Sequence, residues 1–505
     1  MVIYSTGTFD IAAHLRRAAT LIQQGQLEPA WVTVHEVLNA DPRNAPAIQM
    51  RGLIYAQLGY PNEAVADFRQ AVALTPNDPV AHNNLGNALR PLGQWQESLF
   101  ECERALALAP DYLDAQLSHA NALLDMGRPA EAVAGYDRLL RSSPRDPRAL
   151  SNRGLALRSL NRAADAVKSF EQAMAAAPGD PQIRANAGQA YLASGDLKAG
   201  FALFEERWNT PVMAGYLASR QFGRPHWLGQ APLEGRTLLL HSEQGWGDIF
   251  QFCRYAAPAA EQGARVLIEV QKPAVELMRT LKGVSEVIEF GHPLPPFDFH
   301  CPVMSLPNAF GATLQTIPAD VPYLFAEPAR VVQWNERLGP KTRPRVGLAW
   351  SSGVRPDQPE LAAANGRRNL PFDELKGLAG LPVDFVSLQK GEPAESEFAA
   401  FDQAAWNGPP IRNVAADLQD WADTAALIAA VDLVVTVDTA IPHLAGAMGR
   451  PVWVMNRFDP CWRWLETRVD SPWYPTMRLF RQPSMGDWDS VLAEIRTELE
   501  KAFPA

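Results

Sequence analysis

Acidic, hydroxyl and imidazole side chains lie close together late in the sequence, in VVTVDTAIPH at residues 434–443. The apolar residues VVTV predict a buried strand, and Asp438 and Thr439 follow directly at its end. We expect a helix to begin at Pro442 and His443, where free N–H groups, the Thr439 hydroxyl and the imidazole would bind a phosphate. A lone histidine can equally be a core residue, and that alternative stays open.

A carboxylate occupies a similar position earlier, in HSEQGWGDIFQF at residues 241–252. The preceding RTLLLH predicts a buried strand, and Asp248 would open the next helix. Gly245 and Gly247 allow close approach of a ligand. We place them with Gln244 on the acceptor side of a cleft, the side on which a hydroxyl-bearing substrate would bind. Asp248 could accept a proton from a sugar or peptide hydroxyl. It could equally be a simple helix N-cap.

Hydroxyls, backbone amides and cationic groups also follow two further predicted strands. The stretch WSSG at residues 350–353 offers hydroxyls and N–H groups, and two adjacent arginines precede a helix near Pro371. Paired guanidinium groups suit a diphosphate, although a solvated loop with surface arginines is the alternative. SLQKG at 387–391 would form an edge of a nucleotide pocket. We call the residues predicted to bind such a nucleotide diphosphate the donor residues. Here they are Ser351, Ser352, Gly353, Arg367, Arg368, Gln389 and Lys390.

Aromatic residues are dense in DPCWRWLETRVDSPWYP at residues 459–475, where Trp462, Trp464, Trp473 and Tyr474 surround Arg463. They could stack on a base or sugar, or form core. No Asp-x-Asp metal motif occurs between the predicted strands, so we expect no metal requirement and no cofactor beyond the substrate.

Strand-like and helix-like segments alternate in the second half of the chain. Such apolar runs predict parallel strands covered on both faces, in two lobes at 236–338 and 344–505. A ligand cleft is expected at the carboxyl ends of the strands. The predicted strands are 236–241, 265–270, 286–290, 345–351, 384–389, 432–438 and 451–456.

The first part of the chain repeats itself every 34 residues, with Asn161 taking the place of one glycine. Each unit predicts a helix, a turn, a second helix and a stop at proline, which is the tetratricopeptide pattern. We expect about six repeats over residues 1–205 and a packed connector over 206–235. The repeating positions are Gly25, Gly59, Gly93, Gly127 and Gly195; Ala30, Ala64, Ser98, Ala132, Ala166 and Gly200; and Pro42, Pro76, Pro110, Pro144 and Pro178.

Stacked repeats of this kind present a concave face that typically holds an extended peptide. Asn83, Asn87 and Asn121 on the first helices could hold the backbone of an acceptor polypeptide. They could equally be a solvated helix face, and the repeats could be a scaffold without a ligand of their own. Such stacks often pair, so a homodimer is a further expectation.

Composition excludes several classes of partner. The chain has 505 residues and a net charge of −10, which argues against nucleic acid or an anionic membrane as the main partner. Four scattered cysteines give no disulfide framework and no metal-ligand spacing. The sequence shows neither a signal peptide nor a long apolar run, so we expect a cytoplasmic protein without membrane insertion.

Taken together, the motifs EQGWGD, FCRYA, SLQKG, DTAIPHLAGAMGRPVWV and DSPWYPTMRLFRQ resemble bacterial tetratricopeptide-repeat glycosyltransferases. Their catalytic half is similar to the heptosyltransferases of glycosyltransferase family 9. The resemblance implies a tetratricopeptide superhelix followed by an α/β GT-B fold with two facing Rossmann-like lobes. It also implies an inverting, metal-independent transfer from a nucleotide-diphosphate sugar to a protein such as flagellin.

The resemblance gives roles to individual residues. Asp248 matches the family's proposed base, and Asp438, Thr439 and His443 match residues that line the donor diphosphate and sugar. The family's phosphate-contacting lysine has no counterpart near Ser351, so ADP-heptose is not assigned as donor. Two alternatives stay open: an interaction scaffold with an inactive GT-B half, and a transferase acting on a glycolipid or oligosaccharide.

Overall fold

A computed structural model describes residues 9–220, 222–243, 245–353, 366–401 and 406–504. Gln244 therefore lies outside the described residues. The chain divides into two compact units, one formed by residues 1–160 with 175–177 and the other by 161–174 with 178–505. Within the described ranges, no helix is both long enough and apolar enough to cross a membrane.

The first unit is built from antiparallel helix pairs. Several first helices begin at an aspartate followed by proline, and the carboxylates of Asp78 and Asp146 accept hydrogen bonds from first-turn N–H groups. The helices are α1 Ile11–Gln23, α2 Leu27–Ala40, α3 Ala45–Leu58, α4 Pro61–Leu74, α5 Pro79–Leu89, α6 Trp95–Leu108, α7 Leu113–Asp125, α8 Pro129–Ser142 and α9 Pro147–Ser159.

The turns within the repeats confirm the 34-residue period. The five predicted glycines adopt left-handed backbone with φ between 69° and 95°, and Asn161 adopts φ 55° at the position where glycine is missing. Asparagine tolerates this conformation better than most residues. Small residues also permit the helix contacts, because a Cβ on Gly52 would lie 2.8 Å from the ring of Phe68.

The second unit contains further helices and two parallel sheets. Most of α10 belongs to it, and the later helices cover the sheets or connect their strands. The helices are α10 Ala163–Ala176, α11 Pro181–Ser194, α12 Leu197–Phe204, α13 Pro211–Arg220, α14 Trp246–Phe252, α15 Ala256–Glu261, α16 Val275–Met278, α17 Leu306–Ala309, α18 Pro328–Leu338, α19 Ala394–Ala400, α20 Trp421–Ala429, α21 Ala440–Ala447 and α22 Trp488–Ala502.

Both sheets are parallel wherever strands pair, and their strand orders are β3-β2-β1-β4 and β6-β5-β7-β8-β9. The central strands are buried along their length, as expected for parallel sheets. The strands are β1 Thr237–His241, β2 Arg265–Val270, β3 Val284–Glu289, β4 Phe299–Pro302, β5 Arg345–Ala349, β6 Asp384–Ser387, β7 Leu433–Val437, β8 Val452–Asn456 and β9 Met477–Arg481.

The predicted fold class, helical repeats followed by a parallel α/β region, is confirmed. The sequence prediction misses β4 and β9. The first has only four residues, Phe299–Pro302, and the second places Arg478 and Arg481 among its apolar residues, so neither gives a continuous apolar run.

Candidate functional site

Asp248 lies in the first turn of α14, but it does not cap the helix. Gly245 occupies the N-cap position without a side-chain hydrogen bond. The Oδ1 atom of Asp248 instead accepts a hydrogen bond from the guanidinium of Arg463 at 2.5 Å. The N-cap interpretation is therefore wrong, and this carboxylate is held against a residue that follows the second sheet's β8.

Helices α14 and α21 approach each other closely at Gly247. A Cβ atom at this glycine would lie 2.8 Å from Cδ2 of His443. Any side chain at position 247 would therefore clash with the imidazole, which is a stronger reason for glycine than freedom of the backbone. The contact brings the first sheet's helix, with Asp248 one residue further on, against the predicted donor residue His443.

His443 is a buried, neutral group. Its ring stacks on Trp464 with centroids 5.1 Å apart, and its Nδ1 atom lies 3.0 Å from the Tyr474 hydroxyl. Burial holds the pKa of His443 well below its usual value, and the nearby guanidinium groups of Arg463 and Arg254 lower it further. The imidazole can therefore act near neutral pH as a hydrogen-bonding group, not as a cation.

Helix α21 begins two residues earlier than predicted. Its first residue is Ala440, so the expected start at Pro442 and His443 is wrong. Thr439 is the N-cap, and its hydroxyl accepts a hydrogen bond from the Ile441 N–H at 3.3 Å. Asp438 is buried at the end of β7. The Thr439 hydroxyl thus has a capping role in addition to any contact with a phosphate.

Arg463 is the central residue of the site, and the sequence prediction assigned it no role. Its Nε donates to Gln251 at 2.6 Å, and its guanidinium lies over Trp462 at 4.4 Å. Burial lowers its pKa, whereas Cys461, Asp248 and Asp438 raise it, in that order of effect. Arg463 is therefore paired with the carboxylate of α14, and the carboxylate at the end of β7 acts on it only electrostatically.

Arg367, Arg368 and Arg457 form a second group of cations, which we call the arginine cluster. Arg367 donates to Asp459 at 3.2 Å, and Arg457 lies 3.5 Å from the other oxygen of that carboxylate. Burial lowers the pKa of Arg457, and positive charge on Arg368 and Arg367 lowers it further. The Nε atoms of Arg367 and Arg368 are buried without a hydrogen-bond partner among the described residues.

Asn456 lies at the end of β8, immediately before Arg457. Its side chain is fully buried, and neither amide atom has a hydrogen-bond partner among the described residues. An unpaired buried amide is costly, so its position next to the arginine cluster is consistent with a ligand that supplies the partner. The signal available from sequence was a polar residue ending an apolar strand.

Two of the remaining predicted donor residues already use their side chains in hydrogen bonds within the protein. Gln389 accepts hydrogen bonds from the N–H groups of Trp350 and Ser351, so it holds the loop itself. Lys390 donates to the carbonyl of Ala415 at 2.7 Å.

Ser352 and Gly353 lie where a ligand could reach them. The backbone N–H and hydroxyl of Ser352 both donate to Asn369 Oδ1 at 2.8 Å, a partner that the sequence prediction missed. Gly353 is exposed, and a Cβ there would meet no other atom within 4 Å. Ser351 is buried and its hydroxyl donates to the Ser352 carbonyl.

The aromatic residues near Arg463 form core. Trp464, Trp473 and Tyr474 are at most 1% exposed, and Trp462 is 5% exposed. Stacking of these rings on a free base or sugar is therefore excluded in this conformation. Their contribution is to surround Arg463 and His443 with apolar surface, which strengthens the electrostatic interactions of both.

The three asparagines predicted to hold an acceptor lie in the first unit and differ in environment. Asn121 accepts hydrogen bonds from Tyr136 at 2.7 Å and from Asn152 at 2.8 Å, so it serves the packing of the repeats. Asn83 is buried with its Oδ1 unpaired among the described residues. Asn87 is exposed and free to meet a ligand.

Three histidines stack together near the first sheet. His241 Nε2 lies 3.2 Å from His300 Nδ1, and the rings of His226 and His300 are parallel within 10°. Arg220 lies nearby and is paired with Glu269. Burial lowers the pKa of His226 and of His300 to about 4, and that of His241 well below its usual value.

These histidines predict that acid destabilises the second unit. Because the folded pKa values lie below the unfolded value of about 6.5, the unfolded chain binds more protons as the pH falls from about 6.5 toward 4. We expect the free energy of unfolding to fall by about 1 kcal/mol per histidine at pH 5, after allowing for solvent screening. Urea unfolding at pH 7 and pH 5, followed by tryptophan fluorescence, measures this loss.

His226→Phe retains the stacked ring without its proton-binding nitrogens, so its loss of stability in acid should be smaller than that of the wild type. The exposed His292 provides the control, because His292→Phe should leave the pH dependence unchanged. Equal pH dependence in all three proteins would contradict the assignment to this histidine group.

Comparisons with known proteins agree with this architecture. A model described as "Glycosyltransferase family 9 (heptosyltransferase)" matches residues 386–454, which include Asp438, Thr439 and His443. Tetratricopeptide repeat models match 52–90, 79–112, 117–181 and 159–207. In the described part of the chain, we find no group of three or more His, Cys, Asp or Glu side chains that could hold a metal ion.

Individual relatives resemble parts of the chain. "Protein FlbA" from Caulobacter vibrioides is 30% identical over 334 residues, covering 61% of this chain and 53% of FlbA, so the match spans about half of that relative. The solved structure of MamA is 26% identical, covering 33% of this chain and 91% of MamA, with a TM-score of 0.29. PilW, a type IV pilus biogenesis factor, is 21% identical, covering 42% of this chain and 100% of PilW, with a TM-score of 0.37.

The segment that matches the family 9 model runs from the end of β6 through β7 and α21 to the first residues of β8. It therefore includes the part of the second sheet on which Asp438 and His443 lie. The repeat models cover the helical pairs that precede the sheets. The chain therefore combines helical pairs matched by tetratricopeptide repeat models with a segment of the second sheet matched by the glycosyltransferase family 9 model.

Proposed function

We propose that this protein transfers a sugar, with inversion and without a metal ion, from a nucleotide-diphosphate sugar to a hydroxyl group positioned at Asp248. The donor would bind beside the arginine cluster and His443. The acceptor would be a polypeptide, such as flagellin, recruited by the repeats, and the reaction would take place in the cytoplasm. The GT-B arrangement of two facing lobes belongs to the same proposal.

One observation carries the proposal: the first turn of α14, where Asp248 is paired with Arg463, lies directly against His443 at Gly247. A carboxylate able to accept a proton therefore lies against a cation and beside His443, which are groups able to stabilise an anion. An inverting transfer needs both, because a proton leaves the attacking hydroxyl while negative charge grows on the leaving diphosphate.

Each side chain has a defined task in this chemistry. Asp248 removes the proton from the acceptor hydroxyl as its oxygen bonds to the anomeric carbon, and the bond to the nucleoside diphosphate breaks. Arg367 and Arg368, whose Nε atoms have no partner among the described residues, would donate to the diphosphate oxygens. His443 would donate or accept a neutral hydrogen bond near the sugar.

The donor is tested by calorimetric titration with UDP-N-acetylglucosamine, UDP-glucose, GDP-mannose, dTDP-rhamnose and ADP-heptose. CMP-sialic acid is the matched probe, because it has a single phosphate and should bind more weakly than a diphosphate sugar. For the donor that binds, Arg367→Gln should lower the affinity about tenfold or more, since a charge-assisted hydrogen bond is lost. The exposed Arg265→Gln, at the far end of β2 in the first sheet, should bind normally.

Release of the nucleoside diphosphate and an increase in acceptor mass, both by mass spectrometry, then report transfer. Failure of every donor to bind would contradict the proposal and favour an interaction scaffold with an inactive catalytic half. Transfer of sugar to glycolipid but not to polypeptide would retain the enzyme and overturn the proposed acceptor.

A further inference from the structure

We propose that Arg207, Glu243 and Tyr216 form a positioning group that sets the loop before α14 and thereby aims Asp248 at the acceptor hydroxyl. This inference rests on the proposed function of Asp248. It extends that proposal because it makes the segment after the last repeat helix, residues 205–220, a part of the machinery of transfer.

Arg207 lies in a short 3-10 helix, Glu205–Asn209, that directly follows α12. Its Nε and one terminal nitrogen donate to the two oxygens of Glu243 at 3.1 Å and 2.9 Å. The same terminal nitrogen reaches Ser305 at 2.8 Å, and the other reaches Glu205 at 2.9 Å. A planar guanidinium that binds a carboxylate through two bonds fixes its direction as well as its distance.

Glu243 belongs to the loop that connects β1 to α14, five residues before Asp248. Its side chain is 0% exposed and that of Arg207 is 7% exposed. Burial raises the pKa of Glu243, whereas Arg207 lowers it, so the ion pair offsets part of the cost of burying the carboxylate. The guanidinium also lies over the rings of Phe204 and Trp208, at 4.7 Å and 4.5 Å.

Tyr216, on α13, holds the neighbouring residue of the same loop. Its hydroxyl donates to the carbonyl of Ser242 at 2.8 Å. Two consecutive loop residues, 242 and 243, are therefore fixed from the segment 205–220. Asp248, in the first turn of α14, is held by Arg463. Residues 242 and 243 and the proposed base are thus each hydrogen-bonded to a side chain from another part of the chain.

A buried ion pair is a poor device for stability alone. Apolar side chains of similar volume often replace such pairs without loss, because removing two charges from water is costly. An apolar pair at this position would not fix the orientation of residue 243, as the two hydrogen bonds between Arg207 and Glu243 do. A displacement of about 1 Å at a reacting group can lower a rate about 100-fold, so a rigid attachment of this loop matters more for transfer than for folding.

The decisive variant is Tyr216→Phe, which removes one hydroxyl and keeps the ring. We expect kcat for nucleoside diphosphate release to fall about tenfold, the value of one lost hydrogen bond expressed at the transition state, while the KM for the donor stays unchanged. Among the described residues, the hydrogen bonds that residues 242 and 243 make with other side chains go to Tyr216 and Arg207, not to the predicted donor residues. Tyr191→Phe is the matched control, since its hydroxyl bonds Glu171 on another helix and should leave kcat unchanged.

A second measurement needs no substrate. Hydrogen exchange of the peptide that spans residues 240–250 should be faster in Tyr216→Phe than in the wild type and in Tyr191→Phe. Arg207→Lys should have the same effect and a larger loss of kcat, because the ammonium keeps the charge but cannot bind Glu243 through two fixed bonds. Wild-type kcat together with wild-type exchange in Tyr216→Phe and Arg207→Lys would overturn the inference.

The two proposals fail in different ways. If Asp248→Asn abolishes transfer while Tyr216→Phe and Arg207→Lys behave as wild type, the base stands and the positioning group does not. If Asp248→Asn transfers sugar normally, the base assignment fails, and faster exchange in the loop without a loss of kcat would show an attachment unrelated to transfer. An increase in donor KM in Tyr216→Phe would also contradict positioning, since it would indicate a general disturbance.

Discussion

Asp248→Asn is expected to lower the rate of sugar transfer about 100-fold or more while the protein stays folded and still binds the donor. General-base catalysis typically contributes this much, and an amide cannot accept the proton of the attacking hydroxyl. Asparagine has the size of aspartate and can still accept a hydrogen bond from Arg463 through its carbonyl oxygen. The change therefore removes the proposed base and leaves the packing nearly intact.

The measurement is the initial rate of nucleoside diphosphate release under saturating donor, with calorimetry of donor binding beside it. Asp470→Asn is the control, because Asp470 also pairs with an arginine, Arg468, but its side chain is 60% exposed. Wild-type turnover in Asp248→Asn would remove this residue from the mechanism. Loss of donor binding in the same variant would indicate that the charge balance around Arg463, not proton transfer, is what the aspartate maintains.

The architecture was largely predictable because it rests on periodic patterns. A 34-residue repeat has one physical explanation, and Asn161 fitted it even though the residue type differs from glycine. Buried parallel strands are visible in the sequence as apolar runs. The predicted bounds of β1, β2 and β7 therefore agree with the observed bounds within a residue or two. The short β4 and the arginine-bearing β9 lack such runs, and only pairing with neighbours makes them strands.

The site was less predictable, because its contacts join distant parts of the sequence. Asp248 and Arg463 are 215 residues apart, and nothing in either stretch indicates the other. For the tryptophans beside Arg463 the sequence left stacking and core both open, and the structure shows them to be core. Gln389 looked like a nucleotide contact from its place after a strand, but its amide is used to hold residues 350–351.

Arg254→Met is expected to cost the second unit about 3 kcal/mol or more of its free energy of unfolding. The Arg254 guanidinium is buried and donates to the backbone carbonyls of Gln251 at 2.7 Å and Trp473 at 2.8 Å, and to the Tyr323 hydroxyl at 2.9 Å. It also lies 4.7 Å from the centre of the Tyr474 ring. Methionine fills part of the volume but leaves these buried acceptors unpaired, at about 1–3 kcal/mol each.

Arg254 matters to the site as well as to the fold, because the carbonyl that it binds belongs to Trp473, and the next residue, Tyr474, holds His443. Urea unfolding followed by tryptophan fluorescence measures the loss, since all tryptophans except Trp31 and Trp95 lie in the second unit. Arg279→Met is the control: Arg279 is a surface residue paired with Glu276, so its loss should change stability by less than about 1 kcal/mol. If both variants lose equally little, the guanidinium does not secure the segment that follows β8 against α14, and the position of His443 depends on the aromatic packing alone.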